Sequence, residues 1–111
     1  MEREILFDYD EENDILFIHK KDKIKGSVDI ADFIVDLSTD EKVVGLEIMN
    51  ATEHLEKLGV TSPKEVLKNI SGARLRAFYR QDGVVIYFSI ASTLAKEEIS
   101  SSIAMPIAVG R

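Results

Sequence analysis

The feature that most constrains the fold of this chain is a recurring arrangement of two short β-rich runs separated by a polar turn. Three polar turns of this kind occur, at residues 10–13, 38–41 and 81–83. The runs that they join are 5–9 with 14–19, 33–37 with 43–49, and 73–80 with 84–91. A short polar connection between β-rich runs is typical of an antiparallel hairpin, and the Asp-Gly pair in the third turn favours the positive-φ turns that close one. The sequence therefore predicts three antiparallel hairpins.

Two short helices are predicted between the second and third hairpins, over residues 51–58 and 63–70. Asn50 is the expected N-cap of the first helix, Glu53 completes a capping box with it, and Gly59 suits the left-handed position after its end. A proline opens the second helix. Both helices are too short to persist alone in water, so each must pack against a sheet.

A last strand is predicted over residues 103–109. Pro106 has no N–H to donate, so this strand is expected at a sheet edge. The predicted fold class is α+β, with about seven antiparallel strands and two short helices between an N-terminal and a C-terminal sheet unit. We expect residues 1–111 to form one domain with three parts: a double hairpin over 1–50, the helices over 51–70 and the C-terminal strands over 73–109.

Composition restricts the class of protein. Of the 111 residues, 45% are hydrophobic and 31% are charged, which is the mix of a globular domain. Cysteine is absent, so disulfides, thiolate nucleophiles and sulfur-rich zinc sites are excluded. No apolar stretch approaches the roughly 20 residues that span a bilayer, and the first residues lack the basic start and apolar stretch of a secretory signal. We therefore expect a cytoplasmic protein with no membrane partner.

The net charge of −6 is unevenly distributed along the chain. Residues 1–60 hold seven Lys and Arg against sixteen Asp and Glu, whereas residues 61–111 hold seven against four. An acidic first half argues against binding of duplex nucleic acid there, because phosphate neutralisation needs clustered Lys and Arg. The two halves either complement each other within the fold or across a dimer, or the second half contacts nucleic acid.

The first half also resembles a known family. The elements that carry the resemblance are Tyr9-Asp10, Asp14 with the apolar run that follows it, Asp36, and the block Val44-Gly45-Leu46-Glu47-Ile48. Over about residues 7–51 the chain resembles domain-of-unknown-function family 2283, which comprises small prokaryotic proteins. The resemblance implies a double-hairpin architecture and assigns no reaction.

The first acidic turn contains candidate ligands for a hard cation. Asp10 and Asp14 belong to a run of carboxylates and an amide of the kind that calcium and magnesium prefer. The spacing is not that of an EF-hand, since the glycine and the final glutamate of that loop are missing. The alternative is that these residues serve the turn through local backbone hydrogen bonds, and no metal site is predicted.

Glu47 is the most unusual carboxylate in the sequence. Strand alternation places it on one face with Val43, Gly45 and Met49, and a carboxylate among apolar neighbours can acquire the raised pKa of a general acid or base. Paired with Asp36, it is the candidate acid–base group of a small enzyme. The alternative is a structural salt bridge or a cross-strand Lys or Arg partner.

Arg74, Arg76 and Arg80 fall on one side of the same predicted strand with Phe78 between them, and Tyr79 lies on the other side. A basic strand surface with an exposed aromatic ring can hold single-stranded nucleic acid. The alternative is that the arginines pair with the acidic half or with a second subunit while Phe78 is in the core.

The sequence favours a non-enzymatic, dimeric protein-interaction module. Several strands are apolar on both faces, which predicts a homodimer. No catalytic or cofactor site is predicted, because the serines are scattered and the two histidines, His19 and His54, are far apart and expected at the surface. Two alternatives remain: a nucleic-acid-linked or antitoxin-like protein that binds a basic partner, and a small enzyme that uses Glu47 and Asp36.

Overall fold

The computed structural model describes residues 5–106, in which eight strands and two helices form an α+β fold, as predicted. In chain order the elements are β1 Ile5–Asp10, β2 Ile15–Lys20, β3 Gly26–Ile30, β4 Phe33–Leu37, β5 Val43–Met49, α1 Ala51–Lys57, α2 Pro63–Lys68, β6 Ile70–Arg80, β7 Gly83–Ser92 and β8 Ile99–Pro106. No helix in this range has the length and apolar character needed to cross a membrane.

The first sheet has five antiparallel strands in the order β1-β2-β5-β4-β3. Two predicted hairpins are present in it, since β1 pairs with β2 and β4 pairs with β5. Strand β3 is an addition to the predicted set and forms the edge next to β4. Its sequence Gly-Ser-Val-Asp-Ile is poor in strand-forming residues and four of its five residues are exposed. Pairing with β4, rather than a hydrophobic pattern of its own, therefore places it in the sheet.

The second sheet has three antiparallel strands in the order β6-β7-β8. The third predicted hairpin joins β6 to β7, and Arg80 faces Gly83 across a two-residue turn. Strand β8 lies at the edge of this sheet, as Pro106 predicted. It begins at Ile99, earlier than the predicted residue 103, and residues 107–109 of the predicted strand lie outside the described residues.

Both sheets and both helices surround one continuous hydrophobic core. Strand β7 alternates strictly between inward and outward side chains, and its inward positions are Val84, Ile86, Phe88 and Ile90. The first sheet and the helices contribute, among others, Leu16, Ile18, Leu46, Ile48, Leu55 and Leu67. Each sheet thus has an inner face in the core and an outer face, and the candidate residues of β4, β5 and β6 lie on the outer faces.

The start of α1 differs from the predicted capping box. Asn50 is in the left-handed region, with φ 52°, and its side chain makes no capping hydrogen bond. Instead, the carbonyl oxygen of Asp14 accepts a hydrogen bond from the N–H of Ala51 at 3.0 Å. The Asp14 carboxylate accepts from the N–H of Thr52 at 3.2 and 3.3 Å. The expected box with Glu53 was wrong because a carboxylate from a distant hairpin occupies this helix end, which no local pattern reveals.

The remaining helix ends follow their sequence signals. Gly59, after α1, has a φ of 89°, and Pro63 is the first residue of α2. The second helix ends at Lys68 rather than at residue 70, because Ile70 already begins β6. A short turn therefore leads directly from α2 into the second sheet.

Candidate functional site

The Asp14 side chain connects the first hairpin to α1. Its Oδ1 accepts a hydrogen bond from the Tyr9 hydroxyl at 2.6 Å, and its Oδ2 accepts one from Thr52 Oγ1 at 2.7 Å. Burial, together with the hydrogen bond to Asp14, raises the pKa of the Tyr9 hydroxyl. With φ 57°, Asp14 also has the left-handed backbone that Asp tolerates better than most residues. Its carboxylate is therefore engaged in holding the fold together.

Asp10 closes the turn of the same hairpin. Its Oδ1 accepts hydrogen bonds from the N–H groups of Glu12 and Asn13, both at 3.1 Å, and its Oδ2 accepts one from Asn13 Nδ2 at 2.9 Å. These hydrogen bonds lower the pKa of the Asp10 carboxyl group, and the bond from the Asn13 side chain has the largest effect. Among residues 5–106, no three His, Asp or Glu side chains are grouped so that they could hold a metal ion. Asp10 thus makes local hydrogen bonds within its turn, whereas Asp14 bonds to Tyr9 and to Thr52 at the start of α1.

Asp36 and Gly45 lie opposite each other on β4 and β5. Asp36 is only 4% exposed, and its Oδ1 accepts a hydrogen bond from Ser27 Oγ at 2.7 Å. A Cβ atom added to Gly45 would lie 2.8 Å from Asp36 Oδ2 and 3.2 Å from the Cβ of His19. The glycine of the Val-Gly-Leu-Glu-Ile block therefore provides the space that the Asp36 carboxylate occupies.

Glu47 is next to Asp36 on the outer face of the first sheet and is hydrogen-bonded to it. Burial, the neighbouring Asp36 charge, this hydrogen bond and the charge of Asp29 raise the pKa of Glu47 to about 7. The partner of Glu47 is thus another carboxyl group rather than a Lys or Arg. Because two carboxylates this close resist double ionisation, Glu47 retains its proton to a higher pH than an isolated glutamate would.

One predicted neighbour of Glu47 is on the other side of the sheet. A β-bulge pairs Asp36 with Gly45 and Leu37 with Val43, so that Val44 is skipped. As a result Val43 joins the core, whereas alternation had placed it on the face of Glu47. Gly45 indicated either a bulge or a close approach of another chain segment, and the structure contains both.

The arginines of β6 share an outer face with two aromatic rings, and we call this surface the basic–aromatic face. It forms a groove of about 820 Å³. The residues that line it include Arg74, Arg76, Phe78 and Arg80 of β6, Tyr87 and Ser89 of β7, Glu98, and Ser100 and Ser102 of β8. The three arginines thus lie on one face of the second sheet, as predicted.

Phe78 and Tyr87 are the centre of this face. Each is 49% exposed, and their ring centroids lie 5.4 Å apart in a T-shaped arrangement with an interplanar angle of 88°. The alternative that placed Phe78 in the core was wrong, because the inward positions of β6 belong to its neighbours. Tyr79 points the other way, and its hydroxyl accepts a hydrogen bond from the N–H of Val43 at 2.7 Å.

One ion pair on the basic–aromatic face, between Arg74 and Glu98, is weak. Arg74 lies 3.8 Å from Glu98, and the two side chains are 67% and 48% exposed. An exposed pair of this kind contributes about 1 kcal/mol or less. Glu98 belongs to the second half of the chain, so this contact is not the predicted pairing with the acidic half.

His54 is in the core rather than at the surface. Its ring packs against Phe33, with centroids 5.1 Å apart at 89°, and lies 6.2 Å from the ring of Phe88. The buried Nε2 has no hydrogen-bond partner. Burial lowers the pKa of His54, with Lys57 adding to the effect. The expected surface position was wrong because this half-buried helical residue packs against Phe33 and Phe88.

Comparison with known proteins extends this description. An uncharacterized protein of Methanocaldococcus jannaschii is 37% identical over 67 residues, which is 60% of this chain and 54% of that protein. A protein of Methanosarcina mazei named putative hypoxanthine phosphoribosyltransferase is 32% identical over 65 residues, which is 58% of this chain and 49% of that protein. The chain thus matches about half the length of these relatives. No solved structure gives a significant match.

The family resemblance of the first half is confirmed. The match begins in β1 and ends at the first residue of α1, so it includes Asp10, Asp14, Asp36 and Glu47 but not the basic–aromatic face. Residues 6–51 match the family described as Protein of unknown function (DUF2283).

Proposed function

We propose that this protein is a non-enzymatic interaction module that binds an anionic partner through the basic–aromatic face. The observation that supports this most directly is the pair of half-exposed rings, Phe78 and Tyr87, set among three arginines on one sheet face. Large aromatic side chains exposed together on a folded domain are characteristic of binding surfaces.

The charges of this face point to the sign of the partner. The whole chain carries −6, yet Arg74, Arg76 and Arg80 are gathered on one strand of the second sheet. A planar guanidinium binds carboxylates and phosphates through two parallel hydrogen bonds. A basic surface on an acidic protein attracts anions locally while the rest of the molecule repels them, which orients the encounter.

Charge reversal tests this proposal. We expect the double variant Arg74→Glu/Arg80→Glu to lose retention on immobilised heparin at low salt, because two cations of the groove become anions. The charge-matched double variant Lys57→Glu/Lys64→Glu alters the helices and keeps the face intact, so it should elute at nearly the salt concentration of the unmodified protein. Equal losses in both variants would show that only net charge matters and would contradict the proposal.

Self-association is a second candidate function, through the outer face of the first sheet. Phe17, Ile34 and Met49 are on this face and are half-buried, apart from the core cluster. We propose that a second copy covers them to form a homodimer. Sedimentation velocity should give twice the mass of 12.4 kDa, and Phe17→Asp should reduce it to the monomer value. A monomer at all concentrations of the unmodified protein would exclude this interface.

Two further proposals concern the acidic residues. A small enzyme that uses Glu47 and Asp36 is supported by the pKa of Glu47 near 7, which suits a general acid or base at neutral pH. Any turnover assigned to this pair should vanish in Glu47→Gln.

An antitoxin-like role with a basic protein partner is supported by the charge of residues 1–60, and it predicts co-purification of that partner in a salt-sensitive complex.

A further inference from the structure

We infer that the anionic partner of the basic–aromatic face is a single-stranded nucleic acid. This inference depends on the proposed function and narrows the anion to a polymer that offers both phosphates and unstacked bases. Its basis is the combination of arginines, exposed rings and hydroxyl groups on three adjacent strands.

The arginines are arranged along a line. Arg74, Arg76, Phe78 and Arg80 occupy alternate positions of β6, so neighbouring members of this row are separated by about 6.6 to 6.8 Å along the strand. That repeat is comparable with the distance between successive phosphates of an extended nucleic-acid strand. A strand lying along β6 would therefore meet a cation at the first, second and fourth positions and a ring at the third.

The rings provide stacking surfaces next to that line. Tyr87 is opposite Arg76 on the neighbouring strand, and Phe78 is the next residue of β6 on the same face as Arg76. Because the two rings meet edge to face, at 88°, they do not cover each other as stacked rings would. Bases stack on such exposed aromatic side chains with little dependence on sequence. A polyanion without flat rings, such as poly-glutamate, would contact the arginines and leave the exposed faces of these two rings uncovered.

The far side of the groove is lined mainly by serines, and the carboxylate of Glu98 lies near Arg74 and accepts a hydrogen bond from Ser89 Oγ at 3.4 Å. Across β7 and β8, Tyr87 pairs with Ser102 and Ser89 pairs with Ser100, so Ser102 is next to the Tyr87 ring and Ser100 is at the next position on the same face. Their hydroxyl groups both donate and accept hydrogen bonds, which suits base edges and sugars. A duplex is a poor fit, because its base faces are stacked inside and give the rings nothing to contact.

Fluorescence anisotropy with the full chain tests this inference. The probe is a fluorescein-labelled single-stranded DNA of about 12 nucleotides, within the usual site size of single-strand binders, with an RNA of the same sequence beside it. Binding should be at least about tenfold weaker to the matching duplex, and Phe78→Ala should weaken binding to the single strand about tenfold. The control Phe7→Ala removes an exposed ring from β1 and should bind as the unmodified protein does.

The outcomes separate this inference from the proposed function. Equal affinity for the single strand, the duplex and poly-glutamate, unchanged in Phe78→Ala but lost in Arg74→Glu/Arg80→Glu, would overturn the nucleic-acid inference and keep the anion-binding function. An absence of binding to all these polyanions would overturn both. Circular dichroism of each variant verifies that the sheets remain folded.

Discussion

Replacement of Asp14 by alanine is expected to destabilise the protein by about 4 kcal/mol, the largest effect among the single substitutions proposed. The change removes a helix cap, which is typically worth about 1 kcal/mol. It also removes the acceptor of the Tyr9 hydroxyl and of Thr52 Oγ1, at about 1 kcal/mol for each hydrogen bond. Finally, it places alanine at a φ of 57°, a region that alanine adopts at a cost of about 1 kcal/mol.

Urea unfolding at fixed protein concentration measures this loss. Asp14→Asn tolerates the left-handed backbone and keeps one acceptor, so it should lose about 1 kcal/mol only. Tyr9→Phe and Thr52→Val, which each remove one donor, should also lose about 1 kcal/mol apiece. Asp8→Ala removes an equal charge from an exposed position of β1 and should stay within about 0.5 kcal/mol of the unmodified protein. If Asp14→Ala unfolds at the same urea concentration as Asp8→Ala, the carboxylate does not hold α1 to the hairpin.

This arrangement gives the residues of the family resemblance a physical meaning. Tyr9, Asp10 and Asp14 build the turn and the helix start, and Gly45 leaves room for Asp36. All of them lie in the matched segment, residues 6–51. Their roles are to specify the five-stranded sheet and its junction with α1, which explains why a recognisable pattern predicts an architecture without predicting a reaction.

The sequence predicted those parts of the fold that depend on local signals. Period-two alternation placed Arg74, Arg76 and Arg80 on one face, and Pro106 placed the last strand at an edge. Strand β3 was missed because its exposed residues show no hydrophobic alternation. The face of Val43 was wrongly predicted because one skipped residue inverts the faces of a strand without changing its composition.

The parts of the candidate sites that depend on distant contacts were only partly predictable. Glu47 and Asp36 were singled out from their strands, but their direct hydrogen bond depends on the pairing of β4 with β5. The exposure of Phe78 depends on which side of β6 faces the core, and an arginine-rich strand carries that information in its alternation. Because Phe78 shares its alternate positions with three arginines, the period-two pattern predicts an exposed ring even though phenylalanine is hydrophobic.

The second large effect is a loss of stability with rising pH that originates at Glu47. In the unfolded chain this carboxyl group titrates near its ordinary pKa of 4.5, whereas in the folded protein its pKa is about 7. The folded state therefore holds the proton more tightly, so the stabilisation is complete below pH 4.5 and is lost as the pH rises through 7. Because water screens this half-buried site, we expect a loss of about 1 to 2 kcal/mol, less than full linkage would give.

Glu47→Gln should remove this dependence. Glutamine is neutral at every pH and still donates a hydrogen bond to Asp36, so the variant should be more stable than the unmodified protein by about 1 to 2 kcal/mol at pH 8 and nearly equal to it at pH 4. Glu56→Gln, a change at an exposed position of α1, should follow the unmodified protein at both pH values. Urea midpoints across this pH range give the comparison.

His54 acts in the opposite direction, and the design separates the two groups. Its pKa is lowered in the folded protein, so its contribution is present above its ordinary pKa of 6.5 and is lost as the pH falls below that value. This contribution is common to Glu47→Gln and the unmodified protein and cancels in their difference. The remaining difference in pH dependence originates at Glu47, and carbon-13 NMR of its side chain should show a titration near pH 7. A midpoint near 4.5, with equal pH slopes in both proteins, would contradict the raised pKa of Glu47.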